Sequence, residues 1–222
     1  LPPLHDAPPV PLKHLTRCLR NRVQATIDAA IARALIRIGG AIPGMERIAR
    51  GKGKLIADLP KYNSAARHYP WLAIRDMDHD AACAPELRNS NLPSANELMC
   101  FRIAVREAEA WILADRNAFA SAIGVSVAAV PNQPEALDDP KQTIVNLARR
   151  SRKRAIKIGL VPEQGAGISI GPEYAAWMIE FIQTKWDPMR AVADDSAPSL
   201  AKALRGVERL VQRAKERIGD IS

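Results

Sequence analysis

Trp71-Leu72-Ala73-Ile74-Arg75-Asp76-Met77-Asp78-His79-Asp80 is a short apolar stretch that runs directly into a cluster of acids. The turn-prone His68-Tyr69-Pro70 precedes it, and Trp71, Leu72 and Ile74 give it the signature of a strand covered by its neighbours. Side chains alternate along a strand, so Asp76 and Asp78 are expected to share a face and aim both carboxylates at one point. Paired carboxylates repel unless a proton or a cation lies between them. A hard ion such as Mg²⁺, held by one or two carboxylates and several waters, suits that position. The plainer reading is a solvated Asp-rich turn in which Asp80 caps the next helix.

The remaining composition sets bounds. A chain of 222 residues, 47% hydrophobic and 25% charged, is globular and large enough for one substantial core or two small ones. No apolar run approaches a membrane span and no signal-peptide pattern opens the chain, so the expectation is a cytoplasmic protein without membrane contact. Cys18, Cys83 and Cys100 are isolated thiols without Cys-x-x-Cys pairing, which argues against a disulfide frame or a zinc site. Of the four scattered histidines only His79 stands beside acids.

The net charge of +8 is unevenly placed. Residues 1–70 carry 12 Lys/Arg against 4 Asp/Glu, whereas residues 71–222 carry 20 of each. A second concentration runs from Lys141 to Lys157, with Arg149, Arg150, Arg152, Lys153 and Arg154 between them and no acid. Such a run neutralises phosphates with strong salt dependence. Alternatively it is a solvated helix face.

In chain order, Leu1–Leu12 holds five prolines and reads as an extended arm. From Lys13 to Gly39, Leu15, Leu19, Val23, Ile27, Ile31, Leu35 and Ile38 recur at helical spacing, although Val23 also fits the close of a short strand. Gly51-Lys52-Gly53-Lys54 lacks the earlier glycine of a phosphate-binding loop and reads as a basic turn before a helix from Leu55 to Arg67. Met99–Val105 reads as a second strand that leads into a helix from Arg106 to Asp115. Glu107 and Glu109 are thereby placed at a strand's carboxyl end, where open α/β sheets hold ligands, although a helix's preference for acids in its first turn explains them too. Asp139-Pro140-Lys141 starts a further helix with a capping acid. Tyr174, Trp177, Met178, Phe181 and Ile182 form an aromatic stripe on the next, and Leu200 to Ile218 line a last amphipathic helix.

Taken together, Trp71–Asp80, Phe101–Asp115 with its Glu107-Ala108-Glu109-Ala110-Trp111, Asp139-Pro140-Lys141, Arg149-Arg150-Ser151-Arg152, Gly171-Pro172-x-Tyr174 and Ser199-Leu200 resemble a TOPRIM-like family of prokaryotic proteins. That family is related to the OLD-type nucleases and is often encoded beside an AAA-type ATPase in phage-defence or mobile loci. The resemblance covers residues 50 to 210. It implies an α/β fold: a Rossmann-like TOPRIM core with a small central parallel sheet over residues 13–125, then a helical C-terminal region over 126–222 packed on the core.

The resemblance also implies a site. Asp76-Met77-Asp78 fits the family's Asp-x-Asp, and Glu107 or Glu109 resembles the additional acids of the OLD-type centre. The family's first-strand glutamate and glycine are replaced here by Gln24 and Ala25, with Asp28 following. The implied activity is metal-dependent phosphodiester hydrolysis on DNA or RNA. Mg²⁺ or Mn²⁺ would be held by Asp76, Asp78, Asp80, Asp28 and Glu107, catalysis would rest on Asp76, Asp78, Glu107, Glu109 and Lys141, and phosphates would lie on Arg149, Arg150, Arg152, Lys153 and Arg154. Two other classes compete with it. One is a nucleic-acid-binding relative that has lost turnover, marked by Gln24. The other is an AAA-type ATPase partner that uses the Tyr174–Ile182 stripe as its interface.

Overall fold

The computed structural model describes residues 10–19, 22–165 and 167–219; for residues 10–19, 22–26, 50, 218 and 219 the backbone alone is described. Four parallel strands form one sheet in the order β2-β1-β3-β4: β1 (Val10–Leu19), β2 (Ala41–Arg50), β3 (Trp71–Asp76) and β4 (Met99–Ala104). β1 pairs with β2 from Val10↔Ala41 to Leu19↔Arg50, and with β3 from His14↔Trp71 to Arg17↔Ile74. β3 pairs with β4 from Trp71↔Met99 to Asp76↔Ala104. Helices α1 (Arg22–Ile38), α2 (Lys52–Ala65) and α3 (Ala84–Asn91) fill the crossovers. The chain therefore builds outward from β1 to β2, then crosses back to lay β3 on the other side of β1. That reversal opens a crevice at the carboxyl ends of β1 and β3, the usual ligand position of such sheets.

The reading of Val10–Leu19 changes accordingly. Val10–Leu12, assigned to the arm, and Lys13–Leu19, read with the helix, are one strand, and the helix starts at Arg22. The described part of the arm thus belongs to the sheet; residues 1–9 lie outside the described residues. β2 was not expected from the sequence. It contains Pro43-Gly44, an uncommon pair within a strand, and proline is tolerated at a sheet's edge, the position β2 occupies.

After β4 the chain is helical: α4 (Glu109–Ala114), α5 (Arg116–Ile123), α6 (Pro140–Arg149), α7 (Arg154–Leu160), α8 (Tyr174–Thr184), α9 (Pro188–Ala191) and α10 (Pro198–Gly219). Asp139 caps α6 as its sequence indicates, accepting the Gln142 N–H at 2.7 Å. α8 packs on α1 and α10 on β4, so one continuous buried core runs from Ile27 to Ala214. Trp111 of α4 is its pivot. Fully buried, it donates from Nε1 to Ser199 Oγ at 2.7 Å, while Trp186 Nε1 donates to its carbonyl at 3.1 Å. The C-terminal helices thereby fix the element that carries Glu109.

The aromatic stripe on α8 is part of this core. Tyr174, Met178, Phe181 and Ile182 are buried, and Trp177 stacks on Phe181 with ring centroids 5.5 Å apart. It therefore does not provide the open partner surface that the ATPase reading required.

Candidate functional site

β3 is buried from Trp71 to Arg75 and ends at Asp76. The backbone then turns sharply: Asp78 has φ +49°, and Arg106, in the corresponding loop after β4, has φ +56°. Left-handed conformations in residues other than glycine are costly and concentrate where a structure over-determines them. These two loops determine each other. The Asp78 N–H donates to the Arg106 carbonyl at 2.9 Å, and Arg106 Nη1 donates to the Asp78 carbonyl at 3.0 Å while lying 3.0 Å from His79 Nδ1.

The turn has a direct consequence for the acids. Because the strand ends at Asp76, its alternation does not extend to Asp78, and the two carboxylates enter different groups. Asp76 Oδ1 accepts the Ala108 N–H at 2.9 Å, at the start of α4. Asp78 and Asp80 instead share the Lys52 ammonium, at 3.2 and 2.6 Å. Lys52 reaches them from the first turn of α2, placed there by Gly51, whose φ of +91° favours glycine at the β2–α2 turn. Buried Arg75 also pairs with Asp80 and holds Asn91. Burial pushes the Asp80 carboxyl up, but Lys52 and Arg75 outweigh it and hold the group below its ordinary value. The Lys52 ammonium is raised, chiefly by its bond to Asp80.

The second group is more deeply buried. Lys141, in the first turn of α6, places Nζ 3.2 Å from Glu107 Oε1 and 3.6 Å from Glu109 Oε1. Its backbone N–H donates to Glu107 Oε2 at 3.1 Å. The Glu109 side chain is 4% exposed and that of Lys141 15%. Burial disfavours the Lys141 ammonium, yet Glu109, Glu107 and Asp76 together hold its proton more tightly than usual. Glu107 moves the other way. Burial, then repulsion by Glu109 and Asp76, push its carboxyl from an ordinary 4.5 up to about 7, although Lys141 opposes the shift. Glu107 and Glu109 lie against the ammonium and Asp76 adds its charge, an excess of negative charge that a proton on Glu107 partly relieves. The Tyr174 hydroxyl is buried without a hydrogen-bond partner among the described residues, and burial, then the charges of Glu109 and Glu107, raise its pKa well above the ordinary value.

A stability test follows from Glu107. A carboxyl that binds its proton more tightly folded than unfolded stabilises the fold below pH 4.5, and that contribution is lost as pH rises through about 7. Between those limits the metal-free protein should lose on the order of 3 kcal/mol from this group. Glu107→Gln should flatten that part of the profile, as urea unfolding across pH 4 to 8 would register.

Asp28 is buried within α1, and Gln24 is the third residue of the same helix, its side chain outside the described residues. Among the described residues no three His, Cys, Asp or Glu side chains stand together at metal-ligand spacing. Cys83 and Cys100 are free thiols, and no helix among the described residues is long and apolar enough to cross a membrane.

The basic run does not form one helix face. α6 ends at Arg149, a loop carries Arg150 to Lys153, and α7 begins at Arg154. Arg150, Arg152 and Arg154 are exposed. Arg149 bonds Asn146 at 2.6 Å, and Lys153 donates to the Ser121 and Ala122 carbonyls at 2.9 and 2.8 Å, which ties it to the end of α5. Lys52, Arg75 and Tyr174 were not picked out as site residues in the sequence. Lys52 lies 26 residues from Asp78 in a stretch that reads as a turn, and the tyrosine belongs to an apolar stripe.

No family model matches the chain, and comparisons with curated proteins and with solved structures likewise give no match.

Proposed function

We propose that the chain is a metal-dependent phosphodiesterase of TOPRIM-like type acting on nucleic acid, centred on Asp76, Glu107, Glu109 and Lys141. The observation that carries this reading is the convergence of Glu107 and Glu109 on the largely covered Lys141 ammonium, with the charge of Asp76 acting on it too, at the carboxyl edge of a parallel sheet. With no three acids at ligand spacing among the described residues, the pair Asp76 and Glu107 suits Mg²⁺ or Mn²⁺ as hard oxygen donors completed by water, and the negative charge there exceeds what Lys141 balances. Asp76 and Glu107 would hold the ion, with Glu109 beside them. When bound, such an ion stabilises charge on a phosphoryl oxygen and acidifies its water. Lys141 supplies a fixed positive charge to the phosphate. Glu107, with a carboxyl near neutrality, is suited to accept a proton from an attacking water. Asp78 and Asp80, held by Lys52, brace the loop that carries Asp76.

The substrate contacts lie along α6. Arg149 is eight residues beyond Lys141, about 12 Å at helical rise. Exposed Arg150, Arg152 and Arg154 continue that surface and would neutralise phosphates flanking the reacting one. Replacing these three by glutamine should weaken nucleic-acid binding and reduce its salt slope by about 0.9 per lost contact on duplex DNA, or about 0.7 on single strands. Filter binding at several salt concentrations measures this. An unchanged slope would return the run to a solvated surface. Lys153→Gln should instead act on stability, because its ammonium caps α5.

The competing reading is a nucleic-acid-binding protein without turnover. Lys141 already pairs with Glu107 and Glu109 and balances part of the charge that would draw a metal, which favours it. Cleavage of labelled DNA and RNA with and without Mn²⁺ separates the two.

A further inference from the structure

A cavity of about 650 Å³ opens beside β4, the edge strand opposite β2, between α3 and the start of α10. Its volume lies within the range of small-molecule sites. Met77, Ile103 and Val105 give it an apolar wall, and Arg88, Arg102 and Lys202 line it with positive charge. No ion pair joins any of these three cations to a carboxylate among the described residues. The Nε atoms of Arg88 and Arg102 are buried without hydrogen-bond partners. Both side chains are otherwise partly exposed, and Arg88 Nη1 donates to Asn89 Oδ1 at 3.1 Å. Arg102 has room made for it: a Cβ at Gly206 of α10 would overlap its guanidinium.

The cavity's acid does not neutralise this charge. Glu135 Oε1 accepts the Ser199 hydroxyl at 2.6 Å and the Ser199 N–H at 3.0 Å, with the Leu200 N–H at 3.4 Å, so its carboxylate is engaged by the first turn of α10. Three cations therefore face an apolar chamber with one acid that is already committed.

We propose that this cavity binds a small phosphate monoester with a flat apolar body, of nucleoside monophosphate type. A dianionic phosphate matches the charge of the three lining cations, while the base lies against Met77, Ile103 and Val105. The inference stands apart from the phosphodiesterase reading, since it uses none of that centre's acids.

Calorimetric titration of the full chain with uridine and adenosine 5′-monophosphates, glucose 6-phosphate, inorganic phosphate and uridine tests it. At least one of the two nucleotides should bind saturably, and at least tenfold more tightly than the sugar phosphate, inorganic phosphate or the nucleoside. Lys202→Glu, at an exposed helix position that does not threaten folding, should weaken that binding tenfold or more, as losing a charged hydrogen bond does. Arg102→Met should do the same where it folds. Glu107→Gln should leave the affinity unchanged, which separates this cavity from the carboxylate centre. Failure of both nucleotides to bind, equal binding of glucose 6-phosphate, or indifference to Lys202→Glu would overturn the proposal.

Discussion

Lys141→Met is expected to cost about 3–5 kcal/mol of folding stability at pH 8, the range for removing one partner of a buried ion pair. Its Nζ is 3.2 Å from Glu107 and 3.6 Å from Glu109, and both the lysine and Glu109 side chains are well covered. Methionine keeps most of the alkyl stem, so the loss reports charge rather than packing. The cost should shrink toward pH 5, where Glu107, with its carboxyl near 7, takes up a proton and part of the repulsion disappears. Lys141 itself stays charged over this range, because its folded pKa is above the ordinary 10.5. Urea unfolding at pH 5 and pH 8 measures both effects. A cost independent of pH would mean that the ammonium does not balance the carboxylates.

Glu107→Gln should lower metal-dependent cleavage by about 10²–10⁴-fold, the range for losing a positioned proton acceptor, and Asp76→Asn should lower it by weakening the hold on the ion. Asparagine retains the oxygen that accepts the Ala108 N–H, so Asp76→Asn should fold with little loss of stability. Glutamine at Glu107 still accepts from the Lys141 N–H and removes a buried charge from a crowded group. Both variants therefore test chemistry apart from folding. Asp78→Asn separates the two acid groups: it weakens a partly exposed contact with Lys52 at 3.2 Å and should affect cleavage less than Asp76→Asn.

The strands nearest the site were legible because their sequences carry one signal each. Trp71–Asp76 and Met99–Ala104 are short apolar runs bounded by turns, and both form as expected. β1 was hidden by its neighbour. Leu15, Leu19 and Val23 are spaced four apart and merge with the true period of α1, so the pattern alone does not separate strand from helix. β2 was hidden by Pro43-Gly44, which only its edge position makes compatible with a strand.

At the site, residue types were legible and their partners were not. Acids at strand ends follow from the local pattern, and Glu107, Glu109 and Lys141 do converge. The separation of Asp76 from Asp78 depends on a left-handed backbone at Asp78, fixed by the Arg106 loop 28 residues away, which no strand alternation encodes. Lys52 is a long-range contact of the same kind. The basic run fared similarly: its charge was evident, but the commitment of Lys153 to α5 is a tertiary fact.

The central claim is that the acids around Lys141 form a metal-dependent hydrolytic centre. Its most direct test is cleavage of end-labelled single- and double-stranded DNA and RNA by the parent chain, with Mn²⁺, with Mg²⁺ and with EDTA, beside Asp76→Asn under each condition. The expected result is cleavage of at least one substrate that requires the metal and is lost in Asp76→Asn. Binding without cleavage under every condition, or cleavage that survives both EDTA and Asp76→Asn, would contradict it.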